Sequence, residues 1–329
     1  MRITYDQLFD TLSRILVGLG FTTDRAAICA RLFAETTLDG VYSHGLNRFP
    51  RFLRTIRNGT VDIHAEPSRT SAAGSLERWC GNRGPGNINA WLCMERAISL
   101  GCEHGIGCVA LADTNHWMRG GSYGWQAADQ GMIGICWTNT LPNLPPWGAS
   151  EARLGNNPLV IAVPRKVGHV VLDMAMSQFS FGSLESYRKR GLELPVDGGF
   201  DAEGELSRDP AAIEKTGRVL PIGFWKGSGL SLVLDMIAAT LSGGSATNQI
   251  PADPELETGL SQVFIAIDPS SFNDGATTDG IVDQIVESLK GPGDARYPGE
   301  GTMKTRVENM EKGIPVDPLV WKEVCSMLN

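Results

Sequence analysis

The sequence predicts a mixed α/β fold that is not of the Rossmann type, with a helical N-terminal segment packed against a larger mixed-sheet domain. Three observations carry this expectation. The first sixty residues place apolar side chains at helical spacing. From about residue 70, short β-branched runs alternate with helical stretches. Nowhere in the 329 residues does Gly-x-Gly-x-x-Gly follow a strand.

Thr4-Tyr5-Asp6-Gln7 has the spacing of a capping box, and Leu8, Leu12, Ile15, Leu16 and Leu19 follow at helical spacing before Gly20. Thr23 is expected to cap a second helix from Asp24 to about Leu38, with Ala27, Ile28, Ala30, Leu32 and Phe33 on its apolar face. A third helical segment is expected from Ser43 to Asn58, interrupted at Pro50 and closed by Gly59. Residues 1–70 thus read as a helical segment.

Strands are expected at 107–111, 133–137, 159–163, 170–172 and 263–267, with helices at 89–103, 121–129 and 229–241 among them. The polar stretches 194–215 and 243–259 read as surface excursions, so 71–299 forms one mixed α/β domain. The tail carries Pro292, Pro298, Pro315 and Pro318 and ends in a short apolar helix at 319–328. Residues 300–329 are expected to return to the helical segment.

Hydrophobic residues make up 42% and charged residues 20% of the chain, a balance that belongs to folded globular proteins and not to disordered ones. The net charge of −8 gives no overall basic field to attract nucleic acid or anionic lipid, so an anionic ligand must meet a local basic cluster. No apolar run approaches the roughly 20 residues of a membrane span. The first residues lack an export leader, which makes a cytoplasmic location the expectation. The seven cysteines are odd in number and mostly in apolar surroundings, and read as free thiols.

Two histidines stand in distinctive settings, Tyr42-Ser43-His44-Gly45-Leu46-Asn47-Arg48 and Asn115-His116-Trp117-Met118-Arg119-Gly120-Gly121. On a helix, His44 and Arg48 would share one face. Reduction of a 2-oxo acid needs a cation for the carboxylate and an acid for the oxygen that receives a proton as hydride reaches carbon. Arginine and histidine are those two residue types. By spacing alone the pair reads first as surface residues that cap or pair on a helical domain. His116 follows a strand, where α/β proteins place ligands, and also reads as a histidine satisfied by backbone in a turn. Gly223 to Gly229 opens a strong apolar helix whose free N–H groups, with Lys226, can hold a phosphate. Cys102-x-His104-x₃-Cys108 has zinc-like spacing but no second ligand pair. No metal site is expected.

Taken together, Tyr42-Ser43-His44-Gly45-x-x-Arg48, Asn115-His116 with its glycines, Gly155-x-Asn157-Pro158 and Lys226-Gly-x-Gly resemble the type 2 malate/L-lactate dehydrogenases, NAD(P)-dependent 2-oxo-acid reductases without a Rossmann fold. The likeness spans nearly the whole chain. Longer strings, Gly40 to Gly45, Asn47 to Phe52, His116 to Gln126 and Leu194 to Phe200, resemble a branch of that family acting on a 2,3-diketo sugar acid. The resemblance implies NADH-dependent reduction of the C2 ketone of such an acid, with NADPH also admissible, in a homodimer. It makes His44 the proton donor, Arg48 the carboxylate anchor and His116 a second active-site histidine. It assigns cofactor binding to His169, Val170, Val171, Leu172, Asp173, Met174 and Ala175, to Trp225 and Lys226, and to Gly299, Glu300 and Gly301. His64 and His104 match no functional motif. The alternatives are another small 2-oxo acid or a cyclic imine carboxylate as substrate, a non-catalytic sugar-acid binding protein, and a zinc hydrolase built on Cys102 and His104.

Overall fold

The computed structural model describes residues 1–291 and 293–328, so Pro292 of the proline-rich tail lies outside the described residues. The capping box forms as expected. Thr4 Oγ1 accepts from the Gln7 N–H and Gln7 Oε1 accepts from the Thr4 N–H, opening the helix Tyr5–Gly18. The next helix, Thr23–Leu38, is capped by Thr22 and not by Thr23, because Thr22 keeps extended backbone while its hydroxyl accepts from the Arg25 N–H.

The third segment departs from expectation. Residues 42–45 form turns, Leu46–Arg48 is one 3₁₀ turn, and an α-helix begins only at Phe49 and runs to Arg57. Pro50 does not interrupt this helix. It sits in the first turn, where an N–H has no intrahelical partner in any case.

Leu8, Leu12, Leu16, Phe33, Phe49 and Phe52 are buried in one apolar cluster that also takes Ile314, Val316 and Val324 from the end of the chain. Arg2–Ile3 pairs antiparallel with Ile314–Pro315. The C-terminal helix Pro318–Cys325 packs on this cluster through Val324.

A seven-stranded sheet forms the larger part of the fold. Its order is Ser68–Ala73, Leu76–Cys80, Ile106–Thr114, Leu260–Ile267, Ile133–Thr138, Leu159–Val163, Val170–Met174. All neighbours are antiparallel except Leu76–Cys80 with Ile106–Thr114. Phe264 and Ala266 face a core shared with the helices Gly86–His104 and Gly121–Asp129, while Val263 and Ile265 face one shared with Trp225–Ser242. Cover on both faces explains why the central strands read as continuous apolar runs.

The two polar stretches are more ordered than expected. Within 194–215 lie a ribbon of Gly199–Phe200 with Leu206–Ser207 and the helix Pro210–Thr216, and Leu194 and Ile213 are fully buried. Asp209 caps that helix by accepting from the Ala211 N–H. The helix expected at 229–241 starts four residues earlier, at Trp225. Three further helices, Phe181–Lys189, Gly275–Leu289 and Glu300–Lys312, were not expected from periodicity. Among the described residues no helix is long and apolar enough to cross a membrane. All seven cysteines are free.

Candidate active site

The turn that carries His44 is built on the end of the preceding helix. Gly45 lies so close to Thr37 that a Cβ there would come within 2.4 Å of Thr37 Oγ1. That hydroxyl donates to Phe33 O and accepts from the Leu46 N–H at 2.9 Å. His44 and Arg48 therefore do not share a helical face. Arg48 is brought back by the 3₁₀ turn, its N–H donating to Gly45 O at 2.9 Å.

His116 arrives from the other side, in the loop after the strand Ile106–Thr114. Trp117 anchors this loop, buried against Tyr123 and Phe264, and the Tyr123 hydroxyl donates to Trp117 O. Met118 adopts φ 64°, unusual for a residue with a side chain, and its N–H donates to His116 Nδ1 at 3.0 Å. In the neutral ring the proton must then sit on Nε2. Gly86, first residue of the helix Gly86–His104, lies under the loop. A Cβ there would meet Asn115 O at 2.1 Å and His116 O at 2.5 Å.

The rings of His44 and His116 lie 6.0 Å apart at 19°. A pocket beside them is lined by Arg48, Arg51, Asn115, His116, Met118 and Glu257, among others. Glu257 was missed. It belongs to the stretch 243–259, expected to be a loose surface excursion. That chain is instead held on the helix Phe49–Arg57: Arg51 donates to Pro254 O, Arg54 pairs with Glu255 at 3.3 Å, and Asn58 donates to Glu255 O at 2.9 Å. Glu257, 7% exposed, accepts from the Leu141 N–H at 3.2 Å and lies 4.0 Å from Arg48 Nη2. No local pattern announces a contact between residues some two hundred positions apart.

Burial and the nearby Arg48 and Arg119 cations push the His44 pKa down to about 4, and burial with Arg48, His44 and Arg51 holds His116 well below the usual imidazole range. Both rings are neutral at pH 7 in the free protein. Burial lowers the Arg48 pKa to about 10, so the guanidinium stays charged, and burial raises that of Glu257.

Of the expected cofactor residues, 169–175 and 299–301 lie together, while Trp225 and Lys226 follow a segment joined to the same strand through Ile222 and Met176. Val170–Met174 is the edge strand, with His169 before it and Ala175 after it. Gly299, with φ 95°, caps the helix that begins with Glu300 and Gly301. A Cβ at 299 would stand 3.2 Å from both His169 O and Val171 N. The Val171 N–H donates to Pro298 O at 2.9 Å. At the far end of the strand the Ile222 N–H donates to Met176 O at 2.8 Å, three residues before Trp225. Asp173 Oδ2 accepts from the Gly121 N–H at 2.8 Å, so the loop of His116 also reaches this strand.

Of the four N–H groups that open the helix Trp225–Ser242, expected to be free, three are not. Those of Lys226, Gly227 and Ser228 donate to Gly223 O, Ile222 O and Phe224 O, because Phe224 at φ 60° turns the chain back on itself. What remains exposed is the Lys226 side chain and the Trp225 indole, 66% accessible. The zinc-like residues Cys102, His104 and Cys108 build no ligand set: among the described residues no three His, Cys, Asp or Glu side chains converge to hold a metal.

A family model described as malate/L-lactate dehydrogenase matches residues 3–325. The chain belongs to the malate/L-lactate dehydrogenase family. It is 48% identical to the 2,3-diketo-L-gulonate reductase of Citrobacter koseri, over 98% of this chain and 99% of that protein, and 47% identical to the protein of the same name from Escherichia coli K12 over the same shares. Among solved structures, it resembles a sulfolactate dehydrogenase from Methanocaldococcus jannaschii, with a TM-score of 0.91 at 28% identity over 100% of this chain and 97% of that one. It also resembles a delta1-piperideine-2-carboxylate reductase from Pseudomonas syringae, with a TM-score of 0.89 at 27% identity over 99% of both chains.

The malate/L-lactate dehydrogenase family is NAD(P)-dependent, so the group to be accommodated is a dinucleotide. The residues present suit one. An exposed indole beside an exposed ammonium offers a stacking surface and a cation for a phosphate. Gly299, at φ 95°, lets the helix Glu300–Lys312 start directly against the backbone of His169 and Val171, which joins two of the expected cofactor segments.

Proposed function

We propose that the chain reduces the C2 ketone of 2,3-diketo-L-gulonate to 3-dehydro-L-gulonate with NADH, NADPH being the alternative donor. The observation that carries this reading is that Arg48 and His116 line one pocket, with the His44 ring 6.0 Å from that of His116, in a chain so similar to reductases of that name.

Arg48 binds the substrate carboxylate through its planar guanidinium. His116, its Nδ1 closed by the Met118 N–H, donates from Nε2 to the substrate and orients it. His44 gives a proton to the C2 oxygen as that oxygen gains charge. Burial depresses the His44 pKa and the Arg48 and Arg119 cations add to this; an anion entering beside Arg48 offsets the second of these causes and so favours the protonated ring that donates. The reduced nicotinamide, when bound, supplies the hydride to C2. Trp225, Lys226, the backbone of 169–175 and Gly299 to Gly301 hold the dinucleotide.

The same reading takes the protein to be a cytoplasmic homodimer in carbohydrate metabolism. Leu230, Leu232, Val233, Met236 and Ile237 of the helix Trp225–Ser242 are all exposed, and this stripe suits burial against a second copy. The test is an assay of the purified protein with 2,3-diketo-L-gulonate and each nucleotide in turn, following loss of the reduced nicotinamide absorbance. Saturable oxidation of NADH that depends on the diketo acid supports the reading. Substrate binding without oxidation of either nucleotide contradicts it.

A further inference from the structure

Two hydrogen-bond acceptors line the pocket beyond the groups that the reduction uses. Asn115 is 3% exposed, and its Nδ2 donates to Arg83 O at 2.7 Å and Gly84 O at 2.9 Å. Those two carbonyls fix which end of the amide is which, since a carbonyl oxygen accepts only from N–H. Asn115 Oδ1 is thereby an acceptor, buried and without a partner. A buried acceptor left unpaired costs about 1–3 kcal/mol, so a donor from a ligand finds a ready place. The second acceptor is Glu257. Its carboxylate receives the Leu141 N–H on one oxygen, and the other stands 4.0 Å from Arg48, beyond hydrogen-bond reach.

The chemistry of this wall selects among 2-oxo acids. An alkyl chain would leave both acceptors without donors. Hydroxyl groups satisfy them. We infer that Asn115 and Glu257 are substrate-recognition residues that accept hydrogen bonds from hydroxyl groups beyond the 2-oxo acid end, so that the pocket selects polyhydroxylated 2-oxo acids. This rests on the reading of the pocket as that of a 2-oxo-acid reductase. Glu257 is 7% exposed, so little water competes there and a donated hydroxyl hydrogen bond is stronger than in water.

The experiment compares wild type and Glu257→Gln on 2,3-diketo-L-gulonate and on 2-oxohexanoate, a chain of the same length without hydroxyls, each with NADH. Sites built to bind a hydroxyl reject analogues that lack it strongly, so wild type should favour the hydroxylated acid by at least about 100-fold in kcat/KM. Glu257→Gln should lower kcat/KM for the hydroxylated acid by about 10–100-fold more than it lowers that for 2-oxohexanoate. Equal use of both acids by wild type overturns the inference without touching the reductase reading. So does a variant that loses both activities equally, which would make Glu257 only a support for Arg48, or one that loses neither. Wild type that reduces neither acid removes the reductase reading and this inference together.

Discussion

The imidazole rings of His44 and His116 lie 6.0 Å apart and within 19° of parallel, one from a turn built on the end of a helix and the other from the loop after a sheet strand. Neither element brings a complete site. The helical part contributes His44 and Arg48, the sheet contributes Asn115 and His116, and the segment after the helix Trp225–Ser242 contributes Glu257. Chemistry at this pocket depends on how these parts are held together, and each contact that holds them gives a test.

Arg48→Lys keeps the charge but not the planar fork. With a carboxylate bound through two parallel N–H bonds, KM for the diketo acid should rise about 10–100-fold and kcat should change less. Steady-state kinetics at saturating NADH separate the two constants. An unchanged KM would place the carboxylate elsewhere.

Lys226→Ala should weaken NADH binding about 10–100-fold, a charge-assisted contact contributing on the order of 1.5–3 kcal/mol net. Energy transfer from tryptophan to bound NADH reports the dissociation constant without turnover. An unaltered constant would exclude Lys226 from the cofactor site.

Gly86→Ala drives a methyl group into Asn115 O and His116 O. Stability should fall by about 1–3 kcal/mol through overpacking. Displacement of His116 by about 1 Å should cost roughly 100-fold in kcat/KM. Thermal unfolding and kinetics on one preparation check both. A variant of wild-type activity would mean that this loop position is not critical.

The His44 pKa gives stability a pH dependence of definite sign. It is about 4 in the folded protein against an ordinary 6.5, so between these values the unfolded chain binds a proton that the folded chain does not. Stability therefore falls as pH drops from 6.5 to 4, by on the order of 3 kcal/mol from this group, and the contribution is flat above 6.5. His116, also depressed, acts in the same sense. Denaturant unfolding at pH 7 and pH 4.5 should show a smaller acid loss in His44→Asn than in wild type. Equal losses would mean that His44 is not buried as neutral imidazole.

What could be read from the sequence depended on how local the causes were. The Thr4 to Gln7 capping box and the apolar central strands are set by neighbours a few residues away, and both appear where expected. Ser68–Ala73 escaped because all six residues are exposed and carry no alternation. The helix Gly275–Leu289 was masked by Gly275, Gly280 and two threonines, although Asp274 caps it by accepting from the Thr277 N–H. His44 and Arg48 were singled out for a helical spacing they do not have; a 3₁₀ turn brings them together instead. Glu257 could not be found by periodicity, because Arg51, Arg54 and Asn58 fix its segment from far along the chain. An acidic run facing an arginine-rich helix was the one available signal.

The most direct test of the central claim is single-turnover reduction of 2,3-diketo-L-gulonate by His44→Ala with NADH prebound. If His44 is the acid, the rate of NADH oxidation should fall about 10²–10⁴-fold while NADH affinity is kept. A rate within a few-fold of wild type would contradict the account.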